Sequence, residues 1–229
     1  MSTDKKTYIF ILCPPYQGST LLVNLLDSSN KCSTFVNASS WMGEAQWLLK
    51  KNGDVNYESQ RWNPNYDINM ELMDSLFDKY LDGSKTIFVE KSPPNICRAK
   101  KIEEHFSKLG NVIFLISIRS PYSTDHYGAS EWIKFANYQK YNIETLKNTI
   151  VTSYEELCLN LDTVINKIQE KIPILDDIHN QNNSNKKLGE RGKKINTLYL
   201  DRIIDKTEKN EVLKQHIELL NYFGYELIE

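Results

Sequence analysis

Short apolar runs alternate with longer amphipathic ones along this chain. Tyr8–Cys13, Ser33–Val36, Thr86–Val89, Val112–Ile118 and Thr149–Ser153 are brief and apolar or β-branched, which predicts buried strands. Helical periodicity lies between and after them, over Ser19–Asp27, Trp41–Lys50, Asn69–Leu81, Asn95–Phe106, Ser130–Asn142, Glu155–Lys171 and Lys209–Phe223. Strands alternating with helices predict an α/β fold, a mostly parallel central sheet of about five strands with helices on both faces. Ligands of such sheets sit beyond the carboxyl ends of the strands, so the residues just after each strand are the ones to inspect. The length, 229 residues, suits one domain spanning residues 1–229.

Bulk properties narrow the choice of partner. A net charge of −2 argues against a general nucleic-acid binder, so any basic site is local. No run approaches the ~20 apolar residues of a membrane span, and the first apolar run is too short for a signal peptide. The expectation is a soluble, cytoplasmic protein. Cys13, Cys32, Cys97 and Cys158 are scattered without CxxC or CxxH spacing. They predict reduced thiols and neither a zinc site nor a disulfide framework. The polar and aromatic stretch from Gly53 to Asp67, with Trp62 and Tyr66, reads as an irregular excursion that would suit an acceptor pocket or a packed surface loop. His179–Lys187 is a polar low-complexity loop.

The strand ends carry the chemistry. After the first strand comes Pro14-Pro15-Tyr16-Gln17-Gly18-Ser19-Thr20, running into an apolar helix. Such a loop delivers backbone N–H groups and hydroxyls to a helix N-terminus, a place to hold phosphate. A nucleoside-triphosphatase loop would carry a lysine before Ser19, and Gly18 stands there instead. The fourth strand ends in Arg119-Ser120-Pro121, basic where a metal-binding carboxylate would be expected, which points to a metal-free phosphate site. The third strand ends in Glu90-Lys91-Ser92-Pro93-Pro94, setting a point cation toward the same cleft.

In order along the chain these segments resemble the sulfotransferases that use 3′-phosphoadenosine-5′-phosphosulfate (PAPS). PYQGSTLL is similar to the family's first loop, FLISIRSP to its strand ending in R-x-P, and VEKSPPN to the EK[ST]P motif of members acting on glycans and proteins. VTSYEEL and the closing FGYE are similar to the family's YEDL and LGYE steps. The resemblance spans residues 8 to 226 and implies a P-loop nucleotide hydrolase-like three-layer fold with PAPS as co-substrate and no metal. It implies that the loop Tyr16, Gln17, Gly18, Ser19, Thr20 and Leu21 cradles the 5′-phosphosulfate and that Arg119 holds the 3′-phosphate, with Tyr127 or Ser130 as hydroxyl partner. It also implies that Arg191 and Lys193, in a late basic loop, close over the nucleotide. Where most members place Lys or Arg, this chain has Tyr16, which carries no full positive charge. Lys91 then becomes the cation that stabilises the leaving phosphate. For the base the resemblance offers Glu44, in WMGEAQW, with His126, just past Arg119, as the alternative. Glu90 orients Lys91 or serves as base itself. The acceptor would offer a hydroxyl or amine on a carbohydrate, protein or small molecule. Two other readings stay open: a nucleotide-binding module without catalysis, and a P-loop kinase or triphosphatase.

Overall fold

A computed structural model describes residues 5–38, 43–123, 126–179 and 206–228. The elements run β1 (Thr7–Leu12), α1 (Ser19–Asp27), β2 (Cys32–Thr34), α2 (Gln46–Lys51), α3 (Tyr57–Gln60), α4 (Met70–Tyr80), β3 (Ile87–Glu90), α5 (Ala99–Phe106), β4 (Asn111–Ile118), α6 (Ala129–Thr145), β5 (Thr149–Ser153), α7 (Tyr154–Leu159), α8 (Leu161–Lys171), α9 (Lys206–Leu213) and α10 (Ile217–Tyr222). The five strands form one all-parallel sheet in the order β2-β3-β1-β4-β5.

β1 lies at the centre because its residues are apolar on both faces. Its alternate side chains sort by face. Tyr8, Phe10 and Leu12 join an aromatic core with Phe77 of α4, Phe106 of α5 and Phe114 of β4. Ile9, Ile11 and Cys13 join an aliphatic core with Leu22 and Leu26 of α1 and Ile165 and Ile168 of α8. The ring centroids of Phe10 and Phe106 stand 5.0 Å apart. Helices therefore cover both faces, giving three layers.

Where the predicted elements and the observed ones differ, local chemistry gives the reason. The helix expected over Trp41–Lys50 starts only at Gln46, because Gly43 has φ 96°, outside the helical region. Pro93 and Pro94 turn the start of the helix expected over Asn95–Phe106 into a 3₁₀ turn, Pro93–Cys97, and α5 begins after it. The helix expected over Glu155–Lys171 breaks at Asn160 (φ −139°, ψ 50°) into α7 and α8. Among the described residues no helix is long and apolar enough to cross a membrane.

Candidate active site

The loop after β1 is shaped by two residues with positive φ. Gly18 adopts the left-handed conformation (φ 96°), and a Cβ there would stand 2.9 Å from Tyr154 Cδ2. Tyr16, at φ 61°, is the non-glycine residue held there too. The turn delivers the chain to α1, whose first turn holds no acidic residue and whose Gly18 cap makes no side-chain hydrogen bond. The amides at a helix head lack intrahelical partners, so this one suits an anion. Burial pushes the Cys13 thiol, at the end of β1, up to about 12, so it stays protonated.

Lys91, just past β3, meets this helix head. Its Nζ lies 3.4 Å from Thr20 Oγ1 and 3.1 Å from Glu44 Oε1, with 4% of its side chain exposed. Glu44 is oriented in turn: Trp47 Nε1 donates to its Oε2 at 3.0 Å, as does Gln46 Nε2. Thus Lys91, Glu44 and Thr20, from three separate segments, converge. Gly43 beside them has φ 96°, which would strain any other residue, and a Cβ there would stand a tight 3.3 Å from Val23 Cγ2.

Glu90 holds the two segments together. Its Oε1 accepts the Ala45 amide (3.0 Å), the Ser92 amide (2.8 Å) and the Ser92 hydroxyl, and its Oε2 accepts Asn95 Nδ2. Ser92 Oγ also accepts the Gln46 amide at 2.9 Å. Burial raises the Glu90 carboxyl to about 7 against these hydrogen bonds, which favour its charged form. Glu90 therefore positions Lys91 and Glu44 through the backbone that carries them. β3, which flanks β1, thus ends in an acid, and both of its carboxylate oxygens are engaged by the protein. Among the described residues, no group of three or more His, Cys, Asp or Glu side chains could hold a metal ion.

Arg119, past β4, is 3% exposed. It donates to Tyr16 O (3.1 Å), Ser123 Oγ (2.8 Å) and Ser123 O, and stacks over the Tyr154 ring at 4.1 Å. It thereby ties the β4 loop to the β1 loop. Glu155 buttresses the same turn: its Oε1 accepts the Ser120 amide at 3.0 Å, and its Oε2 accepts Tyr225 OH at 2.9 Å. Lys209 Nζ donates to Pro121 O at 2.5 Å, docking α9 on the turn. Nothing in composition or periodicity links Tyr225 to Glu155, which are 70 residues apart.

The other expected residues divide. Gln17 is fully buried and donates to the Tyr127 hydroxyl, so Tyr127 braces the loop from below. His126 stacks on Tyr16, centroids 3.7 Å apart and planes 18° apart, at the exposed face of the loop. Leu21 follows Thr20 inside α1. Arg191 and Lys193 lie outside the described residues.

The fold, a five-stranded parallel sheet with helices on both faces, matches solved structures. The sulfotransferase domain from the curacin biosynthetic pathway aligns over 97% of this chain and 99% of its own length, with TM-score 0.52 and 15% identity. The chain has the fold of sulfotransferase domains. A second such domain, from the Synechococcus PCC 7002 olefin synthase, aligns over 98% of this chain and 97% of its own, with TM-score 0.54 and 15% identity. No protein-family model and no curated protein matches the chain. The strand order accounts for the placement of Lys91 and Arg119: both follow parallel strands adjacent to β1 and so arrive on either side of its loop.

Proposed function

We propose that this chain is a sulfotransferase that moves a sulfuryl group from PAPS to a hydroxyl acceptor. The observation that carries the reading is the pairing of buried Lys91 with partly buried Glu44 against Thr20 at the head of α1. The site fits an anionic donor: the Gly18 turn, the uncapped helix head and the buried ammonium all favour negative charge. The Gly18, Ser19 and Thr20 amides and hydroxyls would hold the 5′-phosphosulfate. Arg119 would take the additional ribose phosphate by exchanging its Ser123 bonds, and Ser130, exposed in the first turn of α6, is the better-placed hydroxyl, because Tyr127 is engaged by Gln17. Bound PAPS would supply an activated sulfuryl group.

The protein's own part is electrostatic and proton-handling. Lys91 holds a positive charge where negative charge grows on the leaving oxygen. It occupies the role that Tyr16 cannot fill. Glu44, fixed by Trp47 and Gln46, is the base that receives the acceptor proton at Oε1 once the Lys91 ammonium turns from it. His126, stacked on Tyr16, shields the exposed side of the loop.

A second reading, nucleotide binding without transfer, is favoured by one feature: the first loop carries Tyr16, not a cation. Calorimetry with 3′,5′-bisphosphoadenosine and with ADP tests the donor half of the proposal. Preference for the bisphosphate without metal supports it, and Mg²⁺-dependent preference for ADP rejects it. A transfer assay then separates enzyme from binding module.

A further inference from the structure

A cavity of about 630 Å³ opens at the head of α5, between that helix and α6, and shares no lining residue with the site above. Its wall includes Arg98, Lys100, Lys101 and Lys134 together with Tyr138 and Tyr141, and among the described residues no Asp or Glu lines it. Two of these cations are partly compensated. Lys100 pairs with Glu103 at 2.5 Å, and Lys101 with Asp67 at 3.7 Å, a pair whose acid is 97% exposed. Solvent screening makes that second pair weak.

Arg98 is the informative one. It is 3% exposed, yet its hydrogen bonds go to neutral oxygens: Tyr57 OH at 3.3 Å, Arg61 O at 2.7 Å and Asn63 O at 3.4 Å. Its Nε is buried with no partner. Its guanidinium also lies 5.6 Å from the Tyr57 ring, but among the described residues no carboxylate pairs with it; a buried charge without an opposite charge is costly, and a bound anion relieves the cost. Arg98 also occupies the cap position of α5 without a side-chain cap bond, and the first turn of that helix has no acidic residue. The helix head therefore adds its partial positive charge to the same cavity.

We propose that this cavity binds a small organic polyanion, bearing carboxylate, phosphate or sulfate groups on an apolar or aromatic body. The anionic groups face Lys101, Lys134 and the head of α5, near the buried Arg98 charge, and the body packs against Tyr138 and Tyr141. The inference is independent of the sulfuryl-transfer reading. Calorimetry with benzene tricarboxylate at low ionic strength tests it, on the wild type, on Lys101→Ala/Lys134→Ala and on Lys91→Ala. Lys101 and Lys134 are half-buried and exposed, so the double variant keeps the core intact. The expected result is saturable binding to the wild type, weakened about tenfold or more in the double variant and unchanged in Lys91→Ala. Absence of saturable binding, equal binding by the double variant, or loss of binding in Lys91→Ala would each overturn the proposal. Inorganic phosphate forms the second arm: weaker binding than the tricarboxylate supports an organic body, and equal binding removes that part.

Discussion

Lys91 and Arg119 begin alike. Each is a cation directly after a buried strand next to β1, and each is nearly inaccessible, at 3% residue exposure for both. They end differently. Lys91 touches two side chains, Glu44 and Thr20, and both contacts can be exchanged for a ligand without disturbing the backbone. Arg119 touches two backbone carbonyls, those of Tyr16 and Ser123, and lies on the Tyr154 ring, so it builds the very loops it would serve. One cation is poised and the other braces. The contrast separates a cation offered for chemistry from one that braces the loops as well as binding, both at the carboxyl end of one sheet.

Substitutions sharpen or break the contrast. The largest effect belongs to Lys91→Ala: transfer falls by about 10³-fold, the scale of losing a focused transition-state donor, while the melting temperature changes little. Comparable turnover would remove Lys91 from the mechanism. Glu44→Gln follows, with turnover reduced by about 10²-fold and bisphosphoadenosine affinity kept, read from kcat and calorimetry side by side. Arg119→Ala should show the opposite balance. It loses about 2–3 kcal/mol of stability with its charged hydrogen bonds, seen in urea unfolding; an unchanged midpoint would mean that the brace is idle.

Glu90 gives a pH signature. Burial raises its carboxyl from the ordinary 4.5 to about 7, so the folded chain binds that proton more tightly than the unfolded one. Stability from this group is complete below about 4.5 and is lost as pH rises through about 7. Relative to Glu90→Gln, the wild-type melting temperature should decline across that window and level off above it. A constant gap between the two proteins contradicts the assignment. The smallest effect is Tyr225→Phe, which removes one hydrogen bond to Glu155 and should cost about 1 kcal/mol, measured by thermal unfolding.

Much of the fold was legible in the sequence because strand burial writes itself as apolar runs. Thr149–Ser153 and Ser19–Asp27 fall where the pattern predicts them. Helix starts were less legible where backbone conformation, not hydrophobicity, decides, as at Gly43 and Asn160. In the site, strand-end logic points to Lys91 and Arg119 because topology alone brings them to the loop. It could not tell that Arg119 bonds carbonyls, since carbonyl positions carry no residue code. The sequence leaves Glu90 as orienter of Lys91 or as base, and could not show that its carboxylate accepts the Ala45 and Ser92 amides. The pairing of Tyr225 with Glu155 depends on how α9 and α10 fold back over the sheet, which no local pattern encodes.

The most direct measurement is transfer of labelled sulfuryl from PAPS to a panel of hydroxyl acceptors, with release of 3′,5′-bisphosphoadenosine followed in parallel. The wild type should label at least one acceptor in step with bisphosphate release, and Lys91→Ala should bind the bisphosphate yet label none. Tight bisphosphate binding by the wild type with no labelled product on any acceptor would contradict sulfuryl transfer and leave a binding module in its place.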